Sequence, residues 1–274
     1  MSTEKKIIQV NGLNYSVNVT GAGKPIMLLH GFPDSSHLWR KVVPYLVDAG
    51  FMTIVPDLRG FGETDAPKGR KNYKLDLIAD DCLKILDTLG IKEKVYLAGH
   101  DWGSALGWVL AINNPDRFEK YMALSVGHVT AFAYAGIPQL LKAWYMVFFH
   151  FKGLAEWMYT RKNFKMMKWH VGKMDSELDQ YMADMSRPGR MTAAMNWYRA
   201  NVIDAFIKNF GKCKIPVLGI WSDQDAYLNE KQMKKGTRKY MDADFQYERI
   251  GGAGHWLQVE KPEEFAKLAI EFCK

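Results

Sequence analysis

We predict an α/β core with a mostly parallel central sheet, helices on both faces and a helical cap inserted after the sixth strand. Short apolar runs typical of buried strands alternate with segments of helix length. This alternation stops over residues 128–210, which have helical patterning and many methionines and aromatic residues, and then resumes. We therefore assign residues 1–127 and 211–274 to the core domain and residues 128–210 to the cap segment.

Eight strands are predicted from short runs of apolar and β-branched residues. Asn11-Gly12 separates the first two runs, and this dipeptide favours a tight antiparallel hairpin. Most of the later runs are separated by helix-length segments, as parallel strands require. In chain order the predicted strands are Lys6–Val10, Tyr15–Thr20, Ile26–His30, Phe51–Pro56, Lys94–Ala98, Tyr121–Val126, Ile215–Trp221 and Phe245–Ile250.

Helices are predicted in the segments between these strands. Gly50 and Gly90 follow two of them, at the position where a helix often ends in a left-handed residue. Outside the cap segment, the predicted helices are Ser35–Ala49, Leu75–Leu89, Gly103–Asn113, one near Lys231–Tyr240 and Pro262–Phe272.

Composition and charge narrow the possible functions. The polar start of the chain has no secretory signal, so we expect a cytoplasmic protein. The most apolar stretch, Ile137–Phe151, is too short and too polar to span a bilayer. The cap segment has 11 basic and 6 acidic residues, which we interpret as a solvated basic surface, with an anionic partner as the alternative. No nucleic-acid or metal-binding motif is present in the sequence.

The segment Gly99-His100-Asp101-Trp102-Gly103 follows a predicted strand and begins a predicted helix. Glycines on both sides of a central residue permit the sharp turn that lifts a nucleophile to the carboxyl edge of a sheet. The usual central residue is serine, whereas a carboxylate there attacks carbon directly and forms an alkyl ester. The alternative interpretation of Asp101 is a residue that caps the following helix.

A second motif, His30-Gly31-Phe32-Pro33, follows the third predicted strand. The backbone N–H groups of Phe32 and Trp102 are candidates for an oxyanion hole, which stabilises the negative charge of a tetrahedral intermediate. When this motif is considered alone, an ordinary turn is the better explanation of it.

Two aspartates, Asp223 and Asp225, follow the seventh predicted strand, and His255 follows the eighth. Catalytic groups of open α/β sheets lie at such carboxyl ends. The order Asp101, Asp225, His255 is that of a nucleophile, an acid and a histidine. We prefer Asp225 to Asp223 because it lies further beyond the strand, where its side chain can turn back towards the histidine.

With the candidate nucleophile, acid, histidine and oxyanion donors identified, the sequence resembles the epoxide hydrolases of the α/β-hydrolase superfamily over nearly its whole length. The resemblance is carried by HGFP at 30–33, Trp39-Arg40, DLRGFGETD at 57–65, GHDWGS at 99–104 and GHWLQVEKP at 254–262. It implies hydrolysis of a small apolar epoxide to a vicinal diol, with no cofactor and no metal.

The resemblance also concerns two tyrosines of the cap. In epoxide hydrolases, two cap tyrosines donate hydrogen bonds to the epoxide oxygen. The segments around Tyr145 and Tyr198 match that pattern, so the resemblance implies this role for both hydroxyls. Packing within an amphipathic helix is the alternative for each tyrosine. We expect the substrate pocket to be lined by His30, Pro33, Trp102, Phe148 and Trp256.

Two other functions stay open at this point. Trp102 resembles the halide-binding tryptophan of haloalkane dehalogenases, but Phe32 stands where those enzymes often have asparagine. A noncatalytic small-molecule receptor is the more remote alternative, since binding alone needs no nucleophile, acid and base in register. We expect a monomer or homodimer that binds a small epoxide and makes no contact with nucleic acid and no integral contact with a membrane.

Overall fold

In the computed structural model, which describes residues 2–134, 136–172 and 175–274, eight strands form one sheet. They are β1 (Thr3–Val10), β2 (Leu13–Thr20), β3 (Lys24–Leu29), β4 (Phe51–Pro56), β5 (Val95–His100), β6 (Phe118–Leu124), β7 (Val217–Ser222) and β8 (Phe245–Ile250). Their order across the sheet is β1-β2-β4-β3-β5-β6-β7-β8. β2 is antiparallel to β1 and β4, whereas β3 to β8 run parallel to one another.

Helices cover the sheet and make up the cap segment. They are α1 (Val43–Asp48), α2 (Leu75–Thr88), α3 (Trp102–Asn113), α4 (Ile137–Lys142), α5 (Trp144–Phe148), α6 (Leu154–Val171), α7 (Asp175–Ser186), α8 (Arg190–Ile207), α9 (Leu257–Glu260) and α10 (Pro262–Cys273). Within the described ranges, no helix combines the length and the apolar character needed to cross a membrane.

The predicted α/β architecture is confirmed, and most strands lie where the sequence indicates. β4 and β8 have the predicted bounds, and Asn11 and Gly12 both adopt positive φ in the first hairpin. The sixth strand is shifted towards the N-terminus relative to the predicted Tyr121–Val126. It ends at Leu124 because Ser125 has a φ of 68°, which is incompatible with an extended strand.

Two predicted helices are wrong in their details. The single helix over Ser35–Ala49 is a 3-10 helix, Ser36–Trp39, followed by α1. Pro44 lies in the first turn of α1, where its missing N–H and its ring prevent a continuous helix through this point.

The predicted helix near Lys231–Tyr240 is a π-helical turn, Gln232–Gly236, and then a 3-10 helix, Thr237–Tyr240. Tertiary hydrogen bonds hold this irregular segment. The Gln232 side chain accepts from the N–H of Gly127 at 2.8 Å and donates to the Ser125 carbonyl at 2.8 Å. Such bonds override the local helical preference.

Helix α8 of the cap segment is hydrogen-bonded to loops of the core. The Trp197 indole N–H donates to the Arg59 carbonyl at 3.0 Å. The Asn201 side chain donates to the Tyr73 carbonyl at 2.7 Å and accepts from the Leu75 N–H at 3.0 Å. Because all of these groups are buried or partly buried, they fix where the middle of α8 lies above the sheet.

Helix α3 runs through the centre of the molecule, and its first turn lies against β3 and β5. A Cβ atom added to Gly103 would lie 2.3 Å from the Leu29 carbonyl oxygen, and one added to Gly99 would lie 2.2 Å from the Gly103 carbonyl oxygen. Only glycine permits these backbones to approach so closely. The start of α3 is therefore pressed directly onto the carboxyl ends of the two central strands.

We predict that Gly103→Ala lowers the free energy of unfolding by about 1–3 kcal/mol, because the added methyl group meets backbone atoms that cannot move aside. Gly251→Ala is the matched control, since its nearest neighbour would be 3.7 Å from the new Cβ. It should change the free energy by no more than about 0.5 kcal/mol. Denaturant unfolding of both variants measures the difference, and equal values would contradict this account of the packing.

Candidate active site

Asp101 lies in a sharp turn between β5 and α3. Its backbone has φ 54° and ψ −119°, a conformation that residues with side chains rarely adopt. Gly31 faces it so closely that a Cβ added there would lie 2.4 Å from the Asp101 Cβ. The turn therefore projects the Asp101 side chain past the ends of the strands into a space kept open by glycines.

The Asp101 carboxylate is mostly enclosed by groups that favour its charge. Burial raises the pKa of this carboxyl, but His255, His100 and the N–H of Phe32 outweigh burial and lower the pKa below its usual value. The Phe32 N–H donates to Asp101 Oδ1 at 2.9 Å. Asp101 is therefore ionised at neutral pH, as a carboxylate nucleophile must be.

His255 lies between two carboxylates. Its Nδ1 is 2.7 Å from Asp225 Oδ2, and its Nε2 is 3.6 Å from Asp101 Oδ2. The other oxygen of Asp225 accepts the N–H groups of Tyr227 at 2.7 Å and Leu228 at 2.9 Å. Asp225 is thereby held in place to orient the imidazole through Nδ1.

The structure brings Asp225, and not Asp223, to the histidine. Asp223 instead accepts the N–H of Gly252 at 2.9 Å on the other side of the loop. This geometry agrees with the preference for Asp225 stated from the sequence, while the catalytic role of Asp225 stays a prediction.

The two carboxylates control the charge of His255. Burial disfavours the imidazolium, but the negative charges of Asp225 and Asp101 and the hydrogen bonds to them raise the pKa of His255 to about 10. The resting site therefore contains an imidazolium between two carboxylates, with one net negative charge.

The predicted oxyanion donors lie beside Asp101. Phe32 already directs its N–H at the Asp101 carboxylate. Trp102 is the first residue of α3, so its N–H belongs to the first turn, where no helical carbonyl is available to accept it. During ester hydrolysis the negative charge would develop on a carboxyl oxygen of Asp101, and both donors belong to residues beside that group.

Tyr145 of α5 and Tyr198 of α8 line the space above Asp101. Their ring centroids are 5.7 Å apart, and both residues contact the same two cavities as Asp101. Burial, and then the negative charge of Asp101, raise the pKa of each hydroxyl well above its usual value. Both tyrosines therefore remain protonated and able to donate hydrogen bonds at neutral pH.

Arg199, the residue after Tyr198, connects the two tyrosine helices. Its Nε donates to the Phe149 carbonyl at 2.6 Å, just after α5, and its Nη1 is 2.6 Å from Glu156 Oε1. The guanidinium is almost fully buried, so this contact is well shielded from water. Arg199 therefore helps to set the position of Tyr145 relative to Tyr198.

Asp101 lines two neighbouring cavities. The larger holds about 530 Å³ of empty space and is almost entirely apolar. Besides the two tyrosines and Asp101, it is lined by Trp102, Ala105, Val126, Val129, Phe132, Met146, Val202, Ala205 and Leu228. The smaller holds about 260 Å³ and is lined by Phe32, His170, Val171, Tyr227, His255 and Trp256, in addition to Asp101 and the tyrosines. An apolar chamber with a few polar groups at one end is typical of a small-molecule site.

Three of the five expected pocket residues do not line these cavities. Trp102 and Trp256 do so, but His30, Pro33 and Phe148 are not among the lining residues. The His30 ring is buried, and its Nε2 accepts the Leu58 N–H at 2.9 Å, so it supports a loop of the core. Phe148 packs against other aromatic residues of the cap segment, with Tyr159 at 6.2 Å between ring centroids.

Sequence reasoning did not single out His170 and Tyr227. Tyr227 packs on the His255 ring at 5.0 Å between centroids. Its position two residues after Asp225 in the sequence could have indicated that it lies near the site. His170 is 4.5 Å from the Tyr145 ring, and its Nδ1 is 2.7 Å from the Tyr159 hydroxyl. Burial lowers the pKa of His170 to about 4, so its ring is neutral. No motif in the helical sequence around His170 indicates this position.

Comparisons with known proteins identify the family of this chain. The alpha/beta hydrolase fold family matches residues 24–262. Epoxide hydrolase 4 of Homo sapiens is 33% identical, over 97% of this chain and 77% of its own length. The AB hydrolase superfamily protein YfhM of Bacillus subtilis is 30% identical, over 98% of this chain and 97% of its own. A crystal structure of Bacillus megaterium epoxide hydrolase in complex with an inhibitor is similar with a TM-score of 0.88, at 27% identity and with 98% of this chain and 99% of that chain covered.

We predict that Asp101→Asn lowers the pKa of His255, because one of the two negative charges beside the imidazole is lost. A drop of at least about one unit is expected for a partner this close. Titration of the His255 ring by NMR in both proteins measures the shift. An unchanged pKa would contradict the charge coupling between the two side chains.

Proposed function

This chain belongs to the epoxide hydrolases of the α/β-hydrolase family, and from that premise we propose that it opens an apolar epoxide to a vicinal diol through an ester on Asp101. The observation that carries the proposal is an ionised carboxylate at the sharp turn, beneath two protonated tyrosines in an apolar cavity. Relatives and solved structures that bear the name epoxide hydrolase support the same reaction class.

In the first step, an Asp101 oxygen attacks one carbon of the epoxide ring. The bond from that carbon to the ring oxygen breaks, and the ring oxygen becomes an alkoxide. Tyr145 and Tyr198 donate hydrogen bonds to this oxygen and supply a proton, which is general-acid assistance worth about 10²–10⁴-fold in rate. The product of this step is a hydroxyalkyl ester on Asp101.

In the second step, His255 removes a proton from water, and the water oxygen attacks the ester carbonyl. Formation of the ester has by then neutralised Asp101, so the imidazole has lost one of the two charges that raised its pKa. The lowered pKa lets the imidazolium release its proton, which replaces the proton that a tyrosine gave to the alkoxide. A neutral imidazole that can accept a proton from water is therefore available only after the nucleophile has reacted. Asp225 stays beside Nδ1 and stabilises the imidazolium that forms.

The tetrahedral intermediate carries its negative charge on the former carbonyl oxygen of the ester. The N–H groups of Phe32 and Trp102 are the proposed donors to that oxygen. Phe32 N–H already binds an Asp101 oxygen at 2.9 Å, so little movement is needed for it to follow that oxygen through the reaction. When the intermediate collapses, the bond from the carboxyl carbon to the substrate oxygen breaks, and that oxygen takes the proton of the His255 imidazolium and leaves as part of the diol. Asp101 then gives its remaining proton back to the imidazole and is again a carboxylate.

We further propose that residues 128–210 act as a cap over this chemistry. The segment contributes both tyrosines, and much of the apolar cavity wall comes from it, including Phe132, Met146 and Val202. A wall of this kind excludes bulk water, which strengthens each hydrogen bond to the developing alkoxide.

Dehalogenation is the competing reaction, and Trp102 is the feature in its favour. The Trp102 ring lies edge-on to Tyr198 at 5.0 Å between centroids, beside the nucleophile. A halide leaves as a stable anion and needs only weak N–H donors. An alkoxide is far more basic and needs an O–H donor at the ring, which favours epoxides for a site with two buried tyrosines.

We predict that Tyr145→Phe and Tyr198→Phe each slow epoxide opening about ten- to a hundredfold, because each removes a hydrogen bond to a developing charge. The double variant should be nearly inactive. Rapid-mixing kinetics on one epoxide and one bromoalkane, for the wild type and the three variants, measures this effect. Val19→Ala, which alters a core strand away from the site, serves as a variant control. Bromoalkane turnover without epoxide turnover in the wild type would contradict the proposed function.

A further inference from the structure

The outer surface of the cap segment carries most of the exposed hydrophobic residues of the described chain. Of 13 large hydrophobic side chains that are exposed, seven lie between residues 141 and 169, with exposures from 41% to 72%. We call them the outer patch; it consists of Leu141, Trp144, Val147, Phe151, Leu154, Trp157 and Trp169. Together they expose on the order of several hundred Å² of apolar surface, which is the size that marks an interaction site.

These residues lie close together. Trp144 is 6.0 Å from Trp169 between ring centroids and 6.2 Å from the half-buried Phe148. Phe148 is in turn 6.3 Å from Phe151. From Leu141 to Trp157 an exposed apolar residue recurs every three or four positions, through α5 and into the first turn of α6.

The segment that contains the patch is rich in basic residues. Residues 137–172 contain six basic residues and one acidic residue. The acidic residue, Glu156, is paired with the buried guanidinium of Arg199. The basic residues Lys152, Arg161 and Lys165 are exposed, and the Arg161 guanidinium stacks 4.3 Å above the Trp157 ring. The outer patch is therefore an apolar surface with exposed basic residues close to it in the chain, and we call these residues its basic rim.

We propose that the outer patch binds the surface of an anionic phospholipid bilayer. Tryptophan side chains favour the interface between headgroups and acyl chains, and lysine and arginine are attracted to anionic headgroups. Leu141, Val147 and Leu154 add aliphatic contacts that acyl chains accommodate.

Charge and side-chain type argue against other partners. A second copy of the chain placed on the patch would bring two basic rims together, which is repulsive. Nucleic acid would use the basic residues and the aromatic rings for stacking, but it offers no partner for the three aliphatic side chains.

The patch lies one short helix away from the catalytic cavity. Trp144 and Val147 of α5 face outwards, whereas Tyr145 and Met146 of the same helix line the cavity. The bilayer is also where an apolar epoxide accumulates, so membrane binding would bring the site to its substrate; this last step rests on the proposed function, whereas bilayer binding does not.

Vesicle flotation with the full chain tests the proposal. The wild type should bind vesicles of phosphatidylcholine with phosphatidylserine much more tightly than vesicles of phosphatidylcholine alone, and salt should weaken the binding. The double variant Val147→Ser with Trp157→Ser should lower the partition coefficient at least about tenfold. Lys152→Gln with Lys165→Gln should lower it about thirtyfold at low salt.

Matched control variants carry the same kinds of substitution at exposed positions of the core domain. Ile7→Ser with Leu77→Ser removes two exposed apolar residues, and Lys92→Gln with Lys267→Gln removes two exposed charges. Each control should change the partition coefficient by less than about twofold. Circular dichroism spectra establish that every variant is folded. The salt dependence of vesicle binding by the wild type tests the proposal without any substitution.

Several results would overturn the proposal. These are equal binding to both vesicle types, equal losses in the patch and control variants, or tight binding of a single-stranded oligonucleotide without binding of vesicles. A wild-type dimer that the patch variants convert to a monomer in sedimentation would identify the patch as a self-association surface instead. Turnover of a water-soluble epoxide, measured in parallel, is independent of these outcomes: vesicle binding without any turnover would contradict only the proposed function.

Discussion

The turn at Asp101 is possible only because three segments of backbone approach one another without side chains between them. Gly31, Gly99 and Gly103 supply the space, and at each of them a Cβ would lie within 2.4 Å of a neighbouring atom. This crowding presses α3 onto β3 and β5 and holds Asp101 at a positive φ. It also places the Phe32 N–H at the carboxylate, so the nucleophile and its oxyanion donor depend on the same packing.

The second organising feature is the sharing of one histidine by two carboxylates. His255 contacts Asp225 directly and Asp101 at slightly longer range, and both charges raise its pKa against the effect of burial. Because the folded-state pKa is raised above the ordinary value, protonated His255 stabilises the fold fully below about pH 6.5. That contribution is lost as the pH rises through about 10. The same charge coupling lets the proposed ester formation alter the basicity of the histidine.

The architecture could be predicted well from the sequence because short apolar runs indicate the strands of the sheet. The helix-length segments between these runs, several of which end at a glycine, indicate the helices that connect parallel strands. It predicted the meeting of Asp101, Asp225 and His255 because the carboxyl ends of parallel strands converge on one edge of a sheet. It failed where tertiary contacts override local preference, as in the π-helical turn that Gln232 anchors. The cavity lining was also partly missed, since which face of a cap helix points inwards depends on packing that no single motif encodes. His170 is the clearest example.

Oxygen-isotope tracing in a single turnover tests the central claim, a covalent ester on Asp101, most directly. With enzyme in excess over an epoxide in ¹⁸O-labelled water, the water oxygen attacks the ester carbonyl and should remain in the Asp101 carboxylate. The first diol released should carry no label, because its new oxygen comes from the aspartate. Mass spectrometry of the diol and of the peptide containing Asp101 measures both. Label in the diol and none in Asp101 would mean that water attacks the epoxide directly, and it would contradict the account.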